Sequence, residues 1–204
     1  MALTAAVRRA ASVGVLLFIV AACESPDVTA PAPDDHVRGP SDAKVTLIEY
    51  GDYQCPPCSN SALAVERLLA EHPRDLRFVY RHFPTRRHRN AVPAAKAAEA
   101  AEQQGKFWEM HAMLLAKQQE WYGAGAPKET FLRYARELGL DETRFRAAAD
   151  SDQLERRIRD SHEHGRTMGV RGAPAFFLNG KRLMPTPLSH EDLKRHVTAA
   201  LAAQ

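Results

Sequence analysis

The most restrictive feature of this sequence is a pair of cysteines, Cys55 and Cys58, that encloses two prolines at the junction of two apolar segments. The segment before them, KVTLIEY, is short and rich in β-branched residues, which predicts a strand buried on both faces. The segment after them, CSNSALAVERLLAEH, has apolar residues at helical spacing. The residues expected to face inward are Leu63, Val65, Leu68 and Leu69. The C-x-x-C motif is therefore predicted to begin a helix directly after a buried strand.

This position predicts the chemistry of the two thiols. The first turn of a helix has unpaired backbone N–H groups and the positive end of the helix dipole, and both favour a thiolate. In such C-x-x-C settings a thiol pKa falls from about 8.5 to between about 3.5 and 7.5. We expect Cys55 to be a nucleophile and Cys58, one turn further on, to point inward as the resolving thiol.

Two other uses of the cysteine pair are weaker hypotheses. Half of a zinc site would need further ligands, and no second C-x-x-C follows, although His162 and His164 lie far downstream. An inert disulfide that closed so short a loop would add little stability. We therefore predict neither a metal nor a cofactor at the pair.

The rest of the chain alternates between strand and helix patterns. LRFVYRHF repeats the apolar strand pattern, so a parallel strand–helix–strand unit is expected. A long helical block follows, with Gly105, Gly139 and Gly165 as expected helix stops.

The C-terminal part returns to a strand pattern. APAFFLNG and KRLM predict two strands joined by a turn at Asn179 and Gly180. A last helix follows Ser189, whose spacing to Asp192 is typical of a capping box. This order predicts an α/β fold of the thioredoxin type with a helical insertion at about residues 88–166.

The quoted motifs also carry a family resemblance. YGDYQCPPC, the helix after it and VRGAPAFFLNG together resemble the DsbA-like thiol-disulfide oxidoreductases of the thioredoxin superfamily, from Val45 to about Leu201. The resemblance implies a cis peptide bond before Pro174, close to the two cysteines. It also implies that the backbone of Ala173 pairs with a substrate strand.

Glu49 is a carboxylate in the middle of an apolar strand, six residues before Cys55. Buried carboxylates are costly and often functional. The resemblance implies that Glu49 is the buried acid that helps to move the proton of the resolving cysteine. The alternative is an edge position that faces solvent.

The dipeptide between the cysteines departs from DsbA-type relatives that have a histidine at its second position. Pro56 and Pro57 have no amide hydrogen to donate, so among the nearby amides only those from Cys58 onward can reach the Cys55 sulfur. We expect Cys55 to be acidic, but less so than in the strongest oxidants, whose pKa is about 3.5.

The N-terminus predicts export. Arg8 and Arg9 precede an uncharged run of 13 residues that ends before Cys23, too short to span a bilayer as a helix and typical of a signal peptide, residues 1–22. VAAC resembles a bacterial lipobox, which implies lipidation of Cys23; the alternative is an ordinary signal.

The segment after Cys23 is rich in Pro, Ala and Asp and has no apolar periodicity. Residues 23–39 are therefore predicted to be a flexible tether, and residues 40–204 the folded domain, beginning at Pro40.

Charge and aromatic composition limit the remaining hypotheses. The 28 basic and 25 acidic residues are mixed along the chain, which gives no case for nucleic acid. The basic run RHFPTRRHRN is typical of a solvated turn, although it could instead lie near the active face. The aromatics expected in the core of the insertion, rather than in a cofactor site, are Phe107, Trp108, Trp121 and Tyr122.

The function predicted from these features is that of an exported oxidoreductase in the periplasm or cell envelope. It would exchange a disulfide with cysteines of other exported proteins, as an oxidase. The resemblance implies a membrane partner that resets the pair, and a monomer is the expected state. A reductase or isomerase, and a non-catalytic metal- or substrate-binding lipoprotein, are the alternatives.

Overall fold

A computed structural model describes residues 31–32 and 35–203 of the protein. The predicted signal peptide and Cys23 lie outside these residues. In chain order the described elements are β1 (His36–Arg38), β2 (Val45–Gly51), α1 (Pro56–Glu71), β3 (Leu76–His82), α2 (Ala91–Glu102), α3 (Phe107–Ala116), α4 (Gln118–Trp121), α5 (Lys128–Glu137), α6 (Glu142–Ala149), α7 (Asp152–Thr167), β4 (Ala175–Leu178), β5 (Lys181–Arg182) and α8 (His190–Ala202). Within this described part, no helix combines the length and apolar character that a bilayer span requires.

The strands form one mixed sheet in the order β1–β3–β2–β4–β5. β2 runs parallel to β3, with Glu49 opposite Tyr80, and antiparallel to β4, with Glu49 opposite Phe176. All seven residues of β2 are buried, as the apolar pattern predicts. Glu49 therefore lies in a central strand, not at an edge.

The two faces of the sheet pack against different parts of the chain. Val45 and Leu47 of β2 belong to the larger core, which also includes α1, the helical insertion and α8. Ile48 and Tyr50 point to the opposite face and pack with Phe177 in a smaller cluster. The alternation of side chains along β2 thus gives each layer its own apolar surface.

The helical insertion between β3 and β4 is present, as α2 to α7. Gly105 and Gly139 follow helix ends with φ of +71° and +72°, in agreement with the prediction. Gly165 does not end a helix, because α7 continues to Thr167. A Cβ at Gly165 would lie 2.7 Å from the Phe83 ring, so this glycine allows the helix to approach the sheet closely.

Two other predictions are wrong. Leu63 is 68% exposed, because the buried positions of α1 are Ser61, Ala64, Val65 and Leu68, and Leu63 falls between them. The predicted start at Pro40 is too late, because β1 pairs antiparallel with β3 and begins at His36. Its three residues give no apolar periodicity from which a strand could be predicted.

The C-terminal part follows the predicted pattern. Asn179 and Gly180 both have positive φ, as a tight hairpin turn requires, and β5 is only two residues long. Ser189 and Asp192 form a capping box at the start of α8.

Candidate active site

Cys55 is the N-cap residue of α1, and the two prolines occupy the first helical turn. Its carbonyl oxygen accepts a hydrogen bond from the Cys58 amide at 3.0 Å, which is the first amide available after the prolines. Both cysteines are free thiols, with Cys55 6% and Cys58 1% exposed. The protein is therefore described in its dithiol form, with the first cysteine at the helix end and the second one turn inside.

The two thiols differ in acidity. Hydrogen bonding to the Cys58 side chain, and to the Cys58 amide, lowers the pKa of Cys55 to about 7 although burial opposes it. Burial raises the pKa of Cys58 well above its usual value, and the neighbouring Cys55 adds to this. At neutral pH about half of Cys55 would be thiolate while Cys58 keeps its proton.

The Ala173–Pro174 peptide bond is cis. The Cys55 Sγ donates a hydrogen bond to the Ala173 carbonyl oxygen at 3.2 Å, so the segment before β4 lies against the Cys55 sulfur. β4 begins one residue after Pro174 and pairs with β2. The structure therefore brings together the two segments that the family resemblance paired.

Glu49 lies in the same layer as the cysteines. Its Oε1 accepts a hydrogen bond at 3.2 Å from Ser61 of α1, whose hydroxyl also lies 3.0 Å from the Cys58 carbonyl oxygen. Burial raises the pKa of Glu49 to about 8, and the charge of Cys55 adds to this. At neutral pH this side chain is mostly protonated, and its charge, when ionised, raises the pKa of Cys58.

A buried aspartate before the motif was not predicted as part of the site. Asp52 Oδ2 accepts hydrogen bonds from the Thr85 amide at 2.8 Å, the Thr85 hydroxyl at 2.9 Å and His88 Nδ1 at 2.7 Å. Its Oδ1 accepts from the Gln54 amide at 2.8 Å. A positive charge on His88 lowers the pKa of Cys55, whereas the charge of Asp52 raises it. The only sequence signal for Asp52 was its position, as an acidic residue directly after an apolar strand segment.

The interpretation of RHFPTRRHRN as a solvated turn is only partly right. Arg86 and Arg87 are exposed, but Arg81 and His82 are buried at the end of β3. His88 agrees with the alternative prediction for this run, because it lies close to the active face.

The helical insertion holds the loop that carries Cys55. Gln118 Nε2 donates to the carbonyl oxygens of Tyr53 at 2.7 Å and Cys55 at 3.1 Å. The Asn90 backbone N–H donates to the side-chain oxygen Oε1 of Gln54 at 2.6 Å. The buried side chains of Gln118 and Gln54 fix the backbone around Cys55, and sequence patterns gave no indication of them.

The aromatic prediction for the insertion is correct for Phe107 and Trp121, which are buried. Trp108 packs partly buried against the same core. Tyr122 is 39% exposed, so its assignment to the core is wrong. Its carbonyl oxygen instead accepts a hydrogen bond from the Gln54 side chain at 2.8 Å.

The family model and the solved structures that match this chain are thioredoxin-like. A family model described as Thioredoxin matches residues 31–199. Among solved structures, a thioredoxin-like oxidoreductase from Silicibacter pomeroyi superposes with a TM-score of 0.71 at 29% identity, covering 85% of this chain and 95% of that one. The thiol-disulfide exchange protein α-DsbA2 from Wolbachia pipientis superposes with a TM-score of 0.68 at 21% identity, covering 80% and 85% respectively.

The curated relatives include a much longer protein. The chain is 43% identical over 173 residues to a Na⁺/H⁺ antiporter NhaA 3 from Salinispora tropica. The match covers 84% of this chain but only 26% of the antiporter, so the chain spans about a quarter of that relative.

Proposed function

The chain belongs to the thioredoxin family, and its DsbA-like fold carries the paired thiols of a protein-disulfide oxidoreductase; from this we propose that it oxidises cysteines of exported proteins. The observation that carries the proposal is the position of Cys55. Its sulfur lies at the start of α1, 3.2 Å from the Ala173 carbonyl oxygen, with a pKa lowered to about 7.

In the proposed reaction the oxidised protein holds a Cys55–Cys58 disulfide. A substrate thiolate attacks the Cys55 sulfur, forms a mixed disulfide and displaces Cys58. A second substrate thiolate attacks the substrate sulfur of that bond. Cys55 then leaves as a thiolate, the substrate gains a disulfide, and the protein keeps both electrons as a dithiol.

Glu49 has a defined role in this sequence. Cys58 leaves as a thiolate in a buried position that raises its pKa well above the usual value, so it needs a proton. Glu49, with a pKa of about 8, is protonated at neutral pH and supplies one. In the reverse step, when the disulfide reforms, Glu49 takes the proton back.

Pro174 and Ala173 would position the substrate. The Ala173 carbonyl oxygen lies 3.2 Å from the Cys55 sulfur, two residues before the start of β4. We assign the backbone of Ala173 to pairing with the extended substrate segment that carries the cysteine.

The proposed location is the periplasm or cell envelope, with lipid attachment at Cys23. A membrane partner would then remove the two electrons after each cycle. A reductase or isomerase would use the same residues in the opposite direction, because direction depends on reduction potential and not on the residues present.

The equilibrium of the Cys55–Cys58 pair with glutathione tests the direction. An oxidase should give a potential well above that of thioredoxin, which is about −270 mV, whereas a value at or below it would favour the reductase. Oxidation of a reduced, unfolded substrate protein, followed by its regain of activity, tests the reaction itself. No oxidation at catalytic protein concentrations would contradict the proposed function.

A further inference from the structure

A second cluster of ionisable side chains lies away from the two cysteines, beneath the first strand. His36 of β1, His82 at the end of β3 and Glu99 of α2 are all buried. Glu99 Oε1 lies 2.7 Å from His36 Nε2 and 2.9 Å from His82 Nε2. Burying three such groups together is costly unless they are paired or hold a metal, and the disulfide chemistry uses none of them.

We propose that His36, His82 and Glu99 form a binding site for a Zn²⁺ ion, with Nε2 of each imidazole and a carboxylate oxygen as ligands. The three ligand atoms already lie within 4.8 Å of one another. Two imidazoles and one carboxylate are a donor set that Zn²⁺ uses in sites where the fourth position stays open. Imidazole nitrogen is also a preferred ligand of this class of cation.

The site needs only a small adjustment to accept the ion. Zn–N and Zn–O bonds are about 2.0–2.2 Å, so tetrahedral ligand atoms are separated by about 3.3 Å. The present separations of 2.7 and 2.9 Å are hydrogen-bond lengths, and a shift of the Glu99 carboxylate oxygen by about half an ångström would widen them to that value. The Nε2 protons move to Nδ1 or pass to water as the bonds to zinc form.

The surroundings support the ligands. His36 Nδ1 lies 4.0 Å from a carboxylate oxygen of Glu102, which is beyond hydrogen-bond length but close enough for electrostatic attraction. Arg157 Nε lies 3.2 Å from Glu99 Oε2 and orients the carboxylate. Partners of this kind fix the orientation of metal ligands.

A cleft of about 610 Å³ adjoins the three residues and gives the ion a route of entry and room for a water ligand. Bound zinc would join β1 to β3 and α2. Zinc binding should therefore stabilise the attachment of β1 to the sheet.

Isothermal titration of the full chain with zinc chloride tests the site. The protein is kept in its Cys55–Cys58 disulfide form, so that neither cysteine can bind the metal. We expect one Zn²⁺ per chain and a rise in melting temperature. His36→Gln and Glu99→Gln should each lose the binding, while His164→Gln, a change in the same cleft but outside the cluster, should keep it.

The proposal is overturned if the oxidised protein binds no zinc, if both cluster variants bind as the wild type does, or if binding appears only after reduction. Circular dichroism checks that the variants are folded. A visible spectrum of Co²⁺ bound to the oxidised wild type does not depend on any variant. Bands of a four- or five-coordinate ion are expected, and a spectrum identical to that of hydrated Co²⁺ overturns the proposal.

Discussion

Replacement of Pro57 by histidine should make the Cys55–Cys58 disulfide more oxidising. In the wild type the Cys58 amide is the first one after Cys55 that can act as a donor, because Pro56 and Pro57 have no amide hydrogen. Pro57→His adds an amide and an imidazole that can be positively charged next to the Cys55 sulfur. Both stabilise the thiolate, and therefore the reduced form.

The size of the effect follows from the pKa of Cys55, which is about 7 in the wild type. A neighbouring positive charge lowers a pKa by about 1–3 units, and we take the lower part of that range, about 1–2 units, for one imidazole that replaces a proline. At about pH 7 this stabilises the reduced form by a further factor of about 5 to 50, or about 1–2 kcal/mol. For a two-electron couple the reduction potential rises by about 20–50 mV.

Thiolate absorbance titration gives the pKa of Cys55 in both proteins, and equilibrium with glutathione gives the two potentials. Pro57→Ala is the matched control, because it restores the amide without the imidazole and should give a smaller shift in both quantities. The reasoning is refuted if the wild-type pKa is already at or below that of Pro57→His. It is also refuted if the pKa falls while the potential stays the same.

Three further perturbations have defined outcomes. Burial raises the pKa of Glu49 from 4.5 to about 8, so the stability of the wild type falls as pH rises through that range. Glu49→Gln should therefore slow thiol exchange and raise the free energy of unfolding in urea by about 2–4 kcal/mol more at about pH 9 than at about pH 5. A difference between the two proteins that does not change with pH would contradict this. Gly165→Ala places a Cβ 2.7 Å from Phe83 and should cost about 1–3 kcal/mol by thermal melting, whereas Gly125→Ala, at an open position, should cost little. Cys23→Ala should move the protein from washed membranes to the soluble fraction. Retention of this variant in the washed membranes would indicate another anchor.

The sequence predicts the parts of this molecule that depend on local pattern. The apolar run around Glu49 predicts a buried strand, and the C-x-x-C motif after it predicts the start of a helix; both are present. Helix ends at Gly105 and Gly139 are also local, because a residue with positive φ is most easily a glycine. The fold class follows from the order of these elements.

The parts that could not be predicted depend on residues far apart in the chain. Asp52 meets His88, 36 residues later, and Gln118 reaches back 63 residues to Cys55. Each is a polar residue that would be assigned to the surface by type, and only the packing of the insertion against the sheet buries it. The same is true of His36 and Glu99, which lie 63 residues apart.

In the proposed reaction the Cys55 sulfur is the atom that exchanges with substrate, and a single variant tests this directly. Cys58→Ser, expressed with its signal in a cell that exports it, should accumulate mixed disulfides with exported proteins. The Cys55 thiolate attacks a disulfide of such a protein and releases one of its thiols, and no Cys58 thiol remains to displace the bound protein from Cys55. Non-reducing gels and mass spectrometry of the bridged peptides detect them, and the Cys55→Ser protein should form none. Absence of adducts on Cys58→Ser, or an equal yield on Cys55→Ser, would contradict the assigned roles.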